Sequence, residues 1–175
     1  MKLHLGCGNK HIDGFINVDS RSIPEVDVMD NVGVLEKFAD NSADLIYACH
    51  VLEHFGRWEY NKVLERWYRV LKPGGILRLA VPDFEAVCNH YIKNHNIHLL
   101  RGLLWGGQNY PTNYHYVGFD FKSLKEDLEK IGFKNIRLYD ANKTEHAHID
   151  DYSRARLPHM DPQGTLMSLN LEASK

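Results

Sequence analysis

The chain has 175 residues, of which 43% are hydrophobic and 25% are charged, so it can bury one core as a single domain spanning residues 1–175. Its net charge of -2 excludes a strong general attraction to nucleic acid or to an anionic membrane surface. Three isolated cysteines and no apolar run near ~20 residues indicate neither a disulfide framework nor a membrane span, so we expect a cytoplasmic protein.

Short apolar segments alternate with turns and a helical pattern through the first half of the chain. Helical periodicity covers 58–71, where Val63, Leu64 and Trp67 share one stripe, and Pro73 then favours a turn. Strands that alternate with helices or crossovers are typical of a parallel α/β sheet. The predicted strands of this half are 2–5, 15–19, 26–30, 43–48 and 76–81.

The second half contains one clear helix and two further strands. Leu124, Leu128 and Ile131 repeat at helical spacing after a capping-box pattern that begins at Ser123, and Gly132 ends the helix. The predicted strands of this half are 135–139 and 167–172.

Two stretches, 84–118 and 140–164, resist a regular assignment. Irregular connections of this length are usually functional or disordered. The first is rich in glycine and aromatic residues, so we interpret it as a lid over a binding pocket. A packed surface excursion whose aromatic residues extend the core explains the same composition equally well.

Glycine or polar residues follow four predicted strands, and ligands of open parallel sheets bind beyond such strand ends. Gly6 and Gly8 would let the backbone approach a ligand closely, and Asp19 could accept hydrogen bonds from two ribose hydroxyls. This pattern predicts a nucleoside-containing ligand, although an ordinary tight turn also explains a lone Gly-x-Gly. The residues at the four strand ends are Gly6, Asp19, Asp30 and Cys49–His50.

The spacing disfavours a dinucleotide. His11 occupies the place of the third glycine in the dinucleotide fingerprint, and Asp19 arrives earlier than the roughly 20-residue spacing of that motif.

The eleven histidines raise the question of a metal site. His146 and His148, with Asp150 and Asp151, offer imidazole and carboxylate ligands, but the segment is polar and loop-like and no second cluster accompanies it. We interpret the segment as a solvated loop and predict no metal site.

Five blocks in chain order together resemble class I S-adenosylmethionine-dependent methyltransferases. Later blocks extend the resemblance over nearly the whole chain and narrow it to small predicted bacterial methyltransferases linked to surface polysaccharide or lipopolysaccharide modification. The five blocks are Leu3–Gly8, Ile16–Asp19, Asp40–Ile46, His50–Phe55 and Arg69–Gly75.

The resemblance implies a Rossmann-like, doubly wound, mostly parallel sheet without N-terminal helices, in which an antiparallel last strand lies between the fifth and sixth strands. It implies S-adenosylmethionine as cofactor: the glycine loop would hold the methionine moiety, Asp19 the ribose and Asp30 the adenine amino group, with the Asn31 amide nearby. The cofactor-binding residues implied in this way are Leu5, Gly6, Cys7, Gly8, Asp19, Asp30, Asn31, Cys49 and His50.

The resemblance predicts methyl transfer to a glycan or small-molecule acceptor, at oxygen, with 84–118 as a lid on the acceptor side. His54 and His115 are the predicted catalytic bases because a neutral imidazole can take a hydroxyl proton, and Glu53 and Tyr116 are weaker candidates. The histidines could instead only order the backbone. The alternatives for the whole chain are a non-catalytic S-adenosylmethionine-binding subunit and, third, a nicotinamide oxidoreductase.

The connection between the first two strands, Gly6 to Gly14, is shorter than the dozen or more residues usual between parallel strands. One face of the sheet is therefore predicted to lack helical cover on its N-terminal side. We expect a second copy of the chain or a protein partner to cover it.

Overall fold

The structure, a computed structural model, describes residues 1–159 and 161–175. Among the described residues, the first four strands follow one another without an intervening α-helix, and all four α-helices lie between the fourth and sixth strands. The strands are β1 (Lys2–Leu5), β2 (Ile16–Asp19), β3 (Val28–Met29), β4 (Ala43–Cys49), β5 (Leu71–Pro82), β6 (Lys134–Leu138), β7 (Arg156–Leu157), β8 (Thr165–Leu166) and β9 (Ser168–Ser174). The helices are α1 (Tyr60–Val70), α2 (Phe84–Asn94), α3 (Arg101–Trp105) and α4 (Phe121–Ile131), and short 3-10 turns lie at Leu52–His54, Ile97–Leu100, Ala141–Lys143 and Tyr152–Arg154.

Seven strands form the central sheet in the order β3-β2-β1-β4-β5-β9-β6, while β7 and β8 form a separate antiparallel pair. Strands β1 to β5 pair in parallel, and β9 runs antiparallel to both of its neighbours, β5 and β6. The predicted doubly wound sheet with an inserted antiparallel strand is confirmed. Among the described residues, no helix combines the length and apolar character that crossing a membrane requires.

Two strand boundaries differ from the prediction. The third strand is only Val28–Met29, although the flanking Asp27 and Asp30 N–H groups still donate to the Asn17 and Asp19 carbonyls. The fifth strand begins at Leu71 rather than at residue 76, and its pairing with β4 shifts register after Ala43. The Pro-Gly segment therefore forms an irregularity inside a strand, where sequence analysis predicts a turn before it.

The start of α4 also differs. The side chain of Asp120 caps this helix by accepting a hydrogen bond from the Ser123 N–H, at 2.8 Å, so Ser123 lies inside the first turn. The predicted end is confirmed, because Gly132 adopts the left-handed conformation that glycine tolerates best.

Helices α1 and α4 pack on one face of the sheet and bury the main core. Trp67 of α1 is fully buried, and its indole N–H donates to the Val32 carbonyl at 2.7 Å. The neighbouring Arg66 donates to the carbonyls of Val34, Leu35 and Phe38. These bonds fix the loop between β3 and β4 against α1.

The other face of the sheet is covered by the chain itself near β1 and β4. No helix connects β1 to β2, but the segment that follows β6 folds back over Tyr47, whose hydroxyl donates to Asp151 at 2.6 Å. The His146 ring packs 4.1 Å from the Tyr47 ring and 5.6 Å from that of Phe15, centroid to centroid. The chain's own residues therefore cover the face that was predicted to lack cover. His146 is buried and packs here, so the prediction of a solvated loop is wrong for this residue.

Replacing Trp67 by Phe keeps an aromatic ring but leaves the Val32 carbonyl without its donor. We expect the free energy of unfolding to fall by roughly 2 kcal/mol, the cost of an unsatisfied buried carbonyl. The control is Trp58→Phe at a site that is 77% exposed, where we expect a change within about 0.5 kcal/mol. Urea denaturation followed by circular dichroism measures both, and equal losses would contradict the assigned role of the indole.

Candidate active site

A glycine turn leaves the end of β1 at the centre of the sheet. Gly6 and Gly8 have φ values of +63° and +56°, which glycine adopts without steric cost. A Cβ on Gly6 would overlap Cγ2 of Val51, so the backbone here lies directly against the segment that follows β4. The side chains of Leu5 and Cys7 are buried, which leaves only the backbone of this turn to face a ligand.

Asp19 ends β2 and joins the glycine turn. Its buried carboxylate accepts a hydrogen bond from the Gly8 N–H at 2.9 Å and from the Arg21 N–H and Nε at 3.0 Å. Burial alone would raise the pKa of Asp19, but the bonds from Arg21 and Gly8 outweigh it and lower that pKa. The Arg21 guanidinium also lies 5.5 Å from the centre of the Tyr110 ring, within reach of a cation–π contact.

Asp30 follows β3 and holds the next loop. Its carboxylate accepts hydrogen bonds from the N–H groups of Asn31 at 2.8 Å and Lys37 at 3.0 Å. The Asn31 side chain accepts from the Gly33 N–H at 2.9 Å. The Asn31 amide is thus engaged within the loop.

Cys49 is the last residue of β4, and His50 follows it. The Cys49 side chain packs into the cluster of Leu45 and Tyr47, where burial raises the pKa of its thiol. The His50 ring lies beyond the strand end, where its Nε2 is 3.3 Å from the Ser168 hydroxyl and its centroid is 5.4 Å from that of Tyr152. Burial lowers the pKa of His50 to about 3, so its ring is neutral at pH 7.

Beyond these strand ends, the 3-10 turn and the segment before α4 bring Glu53, His54 and His115 together. We call these three residues the Glu53 cluster. The His54 and His115 rings meet edge to face with centroids 4.8 Å apart, and Nε2 of His115 lies 3.9 Å from Oε1 of Glu53. The Tyr116 N–H donates to the Glu53 carbonyl at 2.8 Å and ties the two segments together.

Glu53 is fully buried, and neither of its side-chain oxygens has a hydrogen-bond partner among residues 1–159 and 161–175. Nδ1 of His50 approaches one of them at 3.3 Å, but the neutral imidazole makes no ion pair. Burial raises the pKa of Glu53 to about 8, because a charged carboxylate loses its hydration there. The Glu53 carboxyl group, in the 3-10 turn after β4, can therefore accept a proton or bind a cation.

The two histidines of the Glu53 cluster have a defined tautomer. Nδ1 of His54 lies 3.0 Å from the Tyr114 carbonyl, and Nδ1 of His115 lies 2.9 Å from the Leu103 carbonyl. A carbonyl oxygen only accepts, so Nδ1 carries the hydrogen in each ring. Burial lowers the pKa of both residues, so both rings are neutral at pH 7 with a lone pair on Nε2.

An apolar cavity of about 210 Å³ lies beside this cluster, between the start of α2, helix α3 and residues 117–118. Phe84, Leu104, Trp105 and Val117 contribute to its wall. Tyr114 and Tyr116 flank His115 in the chain and are exposed. A small apolar group could enter here next to the histidines.

Residues 13–79 match the family model described as a methyltransferase domain. A S-adenosylmethionine-dependent methyltransferase from Methanosarcina mazei has 17% identity and a TM-score of 0.61, over 99% of this chain and 91% of that one. The Burkholderia thailandensis 1,6-didemethyltoxoflavin-N1-methyltransferase, solved with its substrate and S-adenosylhomocysteine, has 17% identity and a TM-score of 0.59, over 99% and 70%. A Haloferax volcanii complex of the methyltransferase activator Trm112 with a proposed methyltransferase has 14% identity and a TM-score of 0.57, over 99% and 81%. No curated protein matches the chain.

The chain therefore has the fold of S-adenosylmethionine-dependent methyltransferases. The solved structures share this fold, and the match to the methyltransferase domain begins before β2 and ends within β5. The glycine turn fits S-adenosylmethionine as a ligand. A Cβ at Gly6 would overlap Val51, and the positive φ values of Gly6 and Gly8 place the backbone of the turn beside the Asp19 carboxylate.

The structure brings most of the predicted site residues to one edge of the sheet. The glycine turn, Asp19, His50, His54 and His115 all lie there, whereas the Cys49 side chain packs into the cluster of Leu45 and Tyr47. The buried Glu53 was predicted only as a weaker candidate, and Arg21 was not predicted at all. The spacing of His50, Glu53 and His54, at i, i+3 and i+4, is the signal that points to Glu53 in the sequence.

Replacing Glu53 by Gln removes the buried carboxylate. Its pKa is raised in the folded state, so the folded protein binds a proton that the unfolded chain releases near pH 4.5. This contribution to stability is complete below pH 4.5 and is lost as the pH rises through about 8. We expect wild type, but not Glu53→Gln, to lose on the order of 3 kcal/mol through this group between pH 6 and 8.5.

Urea denaturation at the two pH values, with EDTA present, measures this difference. Glu126→Gln removes an exposed carboxylate and is the matched control, which should keep the wild-type pH dependence. If Glu53→Gln also keeps that dependence, the assigned state of Glu53 is wrong.

Proposed function

We propose that the protein is an S-adenosylmethionine-dependent methyltransferase that transfers the methyl group to a hydroxyl of a glycan or small molecule bound at the Glu53 cluster. The observation that carries this proposal is the pair of neutral imidazoles, His54 and His115, whose Nδ1–H groups are held by carbonyls while Nε2 stays basic. A positioned neutral imidazole is an effective general base near pH 7.

The glycine turn and Asp19 are proposed to hold the cofactor. Leu5, Gly6, Cys7 and Gly8 would contribute backbone groups toward its methionine part, since the Leu5 and Cys7 side chains are buried. Asp19 would accept the ribose hydroxyls in place of the Arg21 guanidinium, whose side chain is 44% exposed and free to turn outward. The carboxylate keeps its Gly8 bond throughout.

At the end of β3, Asp30 is proposed to accept the adenine amino group on a remaining lone pair. The Asn31 amide already donates to Asp30, so it can meet the adenine ring only by giving up that bond. Cys49 and His50 would close the site through their backbone, with His50 held at a φ of +53°.

Bound S-adenosylmethionine supplies a methyl group already activated by its sulfonium, so the protein's task is alignment and proton removal. In the proposed step the acceptor oxygen bonds to the methyl carbon as the bond from sulfur to carbon breaks. Nε2 of His54 or His115 takes the hydroxyl proton. The thioether leaves with its electron pair, which balances the step.

The segment 84–118 is proposed as the acceptor-side lid. Trp105, Tyr110, Tyr114 and Tyr116 along it are exposed, and the apolar cavity opens beneath it. Exposed aromatic rings on a loop beside a reactive cluster suit contact with an acceptor of mixed polarity. The resemblance to polysaccharide-modifying enzymes supports a glycan among the acceptors tested first.

Cofactor binding is tested at the glycine turn by comparing two glycines with positive φ. Gly6→Ala adds both strain and an overlap with Val51, whereas Gly14→Ala, at φ +80° with open space around it, adds strain alone of about 1 kcal/mol. We expect Gly6→Ala to weaken S-adenosylmethionine binding at least about tenfold, a loss near 1.4 kcal/mol, and Gly14→Ala to leave it nearly unchanged. Isothermal titration calorimetry decides, and equal affinities would remove the turn from the cofactor site.

Proton removal is tested by His54→Ala and His115→Ala. Transfer of labelled methyl groups to a panel of glycans and hydroxylated metabolites should fall by roughly 10²–10⁴-fold in at least one variant, while cofactor affinity stays nearly constant. His148→Ala, which removes an exposed histidine, should keep wild-type activity. Unchanged rates in both variants would exclude the imidazoles, and a panel with no methylated member would favour the non-catalytic subunit.

A second copy or a protein partner was predicted because one sheet face was expected to lack cover. Residues 141–154 cover that face at Tyr47, so the main reason for this prediction is removed. In the Haloferax volcanii complex the methyltransferase is bound to an activator, so a protein partner is still proposed for this chain. Light scattering at micromolar concentration tests the second copy, and a strictly monomeric species rejects it.

A further inference from the structure

We propose that the Glu53 cluster binds one divalent transition-metal cation of the Zn²⁺, Mn²⁺ and Co²⁺ class. Glu53, His54 and His115 each offer one ligand atom, and these three atoms lie within 4.8 Å of one another. The two histidines and one carboxylate come from two segments that only the fold brings together.

The buried carboxylate is the first observation that points to a cation. Both oxygens of Glu53 lack a hydrogen-bond partner, although its side chain is fully buried. A buried unpaired carboxylate is costly unless it is protonated, paired or bound to a metal. Within the described parts of the chain, no lysine or arginine forms an ion pair with it.

The orientation of the histidines is a second and independent observation. Metal-bound histidines commonly donate the other ring N–H to a carbonyl or carboxylate, which fixes the tautomer and the ring direction. His54 does so to Tyr114 and His115 to Leu103. Both rings are therefore set up to coordinate through a lone pair without first losing a proton.

The spacing is close to that of a bound metal. Ligand atoms about 2.1 Å from a tetrahedral ion lie roughly 3.4 Å apart, and Oε1 of Glu53 and Nε2 of His115 are 3.9 Å apart. Small side-chain rotations would close the cluster around an ion. Three protein ligands leave at least one coordination position open, as in catalytic rather than structural sites.

The ligand types select the ion. Imidazole nitrogen suits Zn²⁺, Co²⁺ and related ions, whereas Mg²⁺ and Ca²⁺ prefer sites built from oxygen. No metal site was predicted from the sequence, because only histidines that are close in the chain, such as His146 and His148, can be recognised there as a group. His115 joins Glu53 and His54 through the folding of the segment before α4.

This inference rests on the proposed function for the place of the acceptor, but not for the binding of the ion. A bound cation would take the lone pairs that otherwise accept the hydroxyl proton. The acceptor oxygen would then bind the open position, where the ion's charge lowers the hydroxyl pKa and the proton passes to water.

The test uses full-length protein freed of any affinity tag and stripped with a chelator. Zn²⁺, Mn²⁺ and Mg²⁺ are titrated in separate calorimetry experiments without cofactor or acceptor, and Co²⁺ binding is followed by its visible absorption. We expect one Zn²⁺ per chain and weak or no binding of Mg²⁺. Glu53→Gln and His115→Ala should each weaken Zn²⁺ binding by roughly 100-fold or more, beyond the 10–100-fold of an outer-shell change.

His148→Ala is the matched control and should bind Zn²⁺ like wild type, because this histidine is exposed and outside the Glu53 cluster. Circular dichroism and thermal melting show whether each variant is folded. If His115→Ala does not fold, His54→Ala and the Co²⁺ spectrum of Glu53→Gln replace it. Absence of saturable binding to wild type, or equal binding by the cluster variants, would overturn the inference.

The two proposals fail separately. Methyl transfer that persists in chelator, with no Zn²⁺, Mn²⁺ or Co²⁺ binding, overturns the cation site and leaves the proposed function intact. Cation binding at the cluster without any methyl transfer to the acceptor panel supports the site and contradicts the proposed function.

Discussion

The close approach of Val51 to Gly6 is the contact on which the site depends. Parallel pairing of β1 with β4 places the glycine turn beside the segment that leaves β4, and only glycine at position 6 leaves room for the Val51 side chain. The backbone around the cofactor turn and the 3-10 turn that carries Glu53 and His54 therefore form one packed unit. A change at either turn is transmitted to the other through van der Waals contact.

Electrostatically, the two sides of this unit differ. Asp19 stays ionised because Arg21 and the Gly8 amide stabilise its charge. On the acceptor side, burial keeps His54 and His115 neutral and favours the protonated form of Glu53. An ionised carboxylate therefore lies on one side of this unit, and uncharged imidazole and carboxyl groups lie on the other.

Sequence periodicity predicts the sheet well, because buried strands such as β1 and β4 are short apolar runs ending in glycine or polar residues. Sequence periodicity misplaces the start of β5. The Pro-Gly segment is typical of a turn, but pairing with β4 keeps it within the strand. Gly6, Asp19 and His50 can be recognised in the sequence as residues that end or follow a strand. The protonation state of Glu53 cannot be predicted from the sequence. It depends on burial and on the nearby His115, which is distant in sequence, and both come only from tertiary packing.

The insertion of β9 between β5 and β6 has a consequence for synthesis on the ribosome. Until residues 168–174 emerge, β6 has no neighbouring strand and one edge of β5 stays open. The nascent chain therefore exposes an apolar strand edge of the kind that pairs with other chains. Chaperones or rapid synthesis of residues 168–174 would limit pairing of this open edge with other chains. Such protection matters more here than for a sheet whose strands are added in chain order.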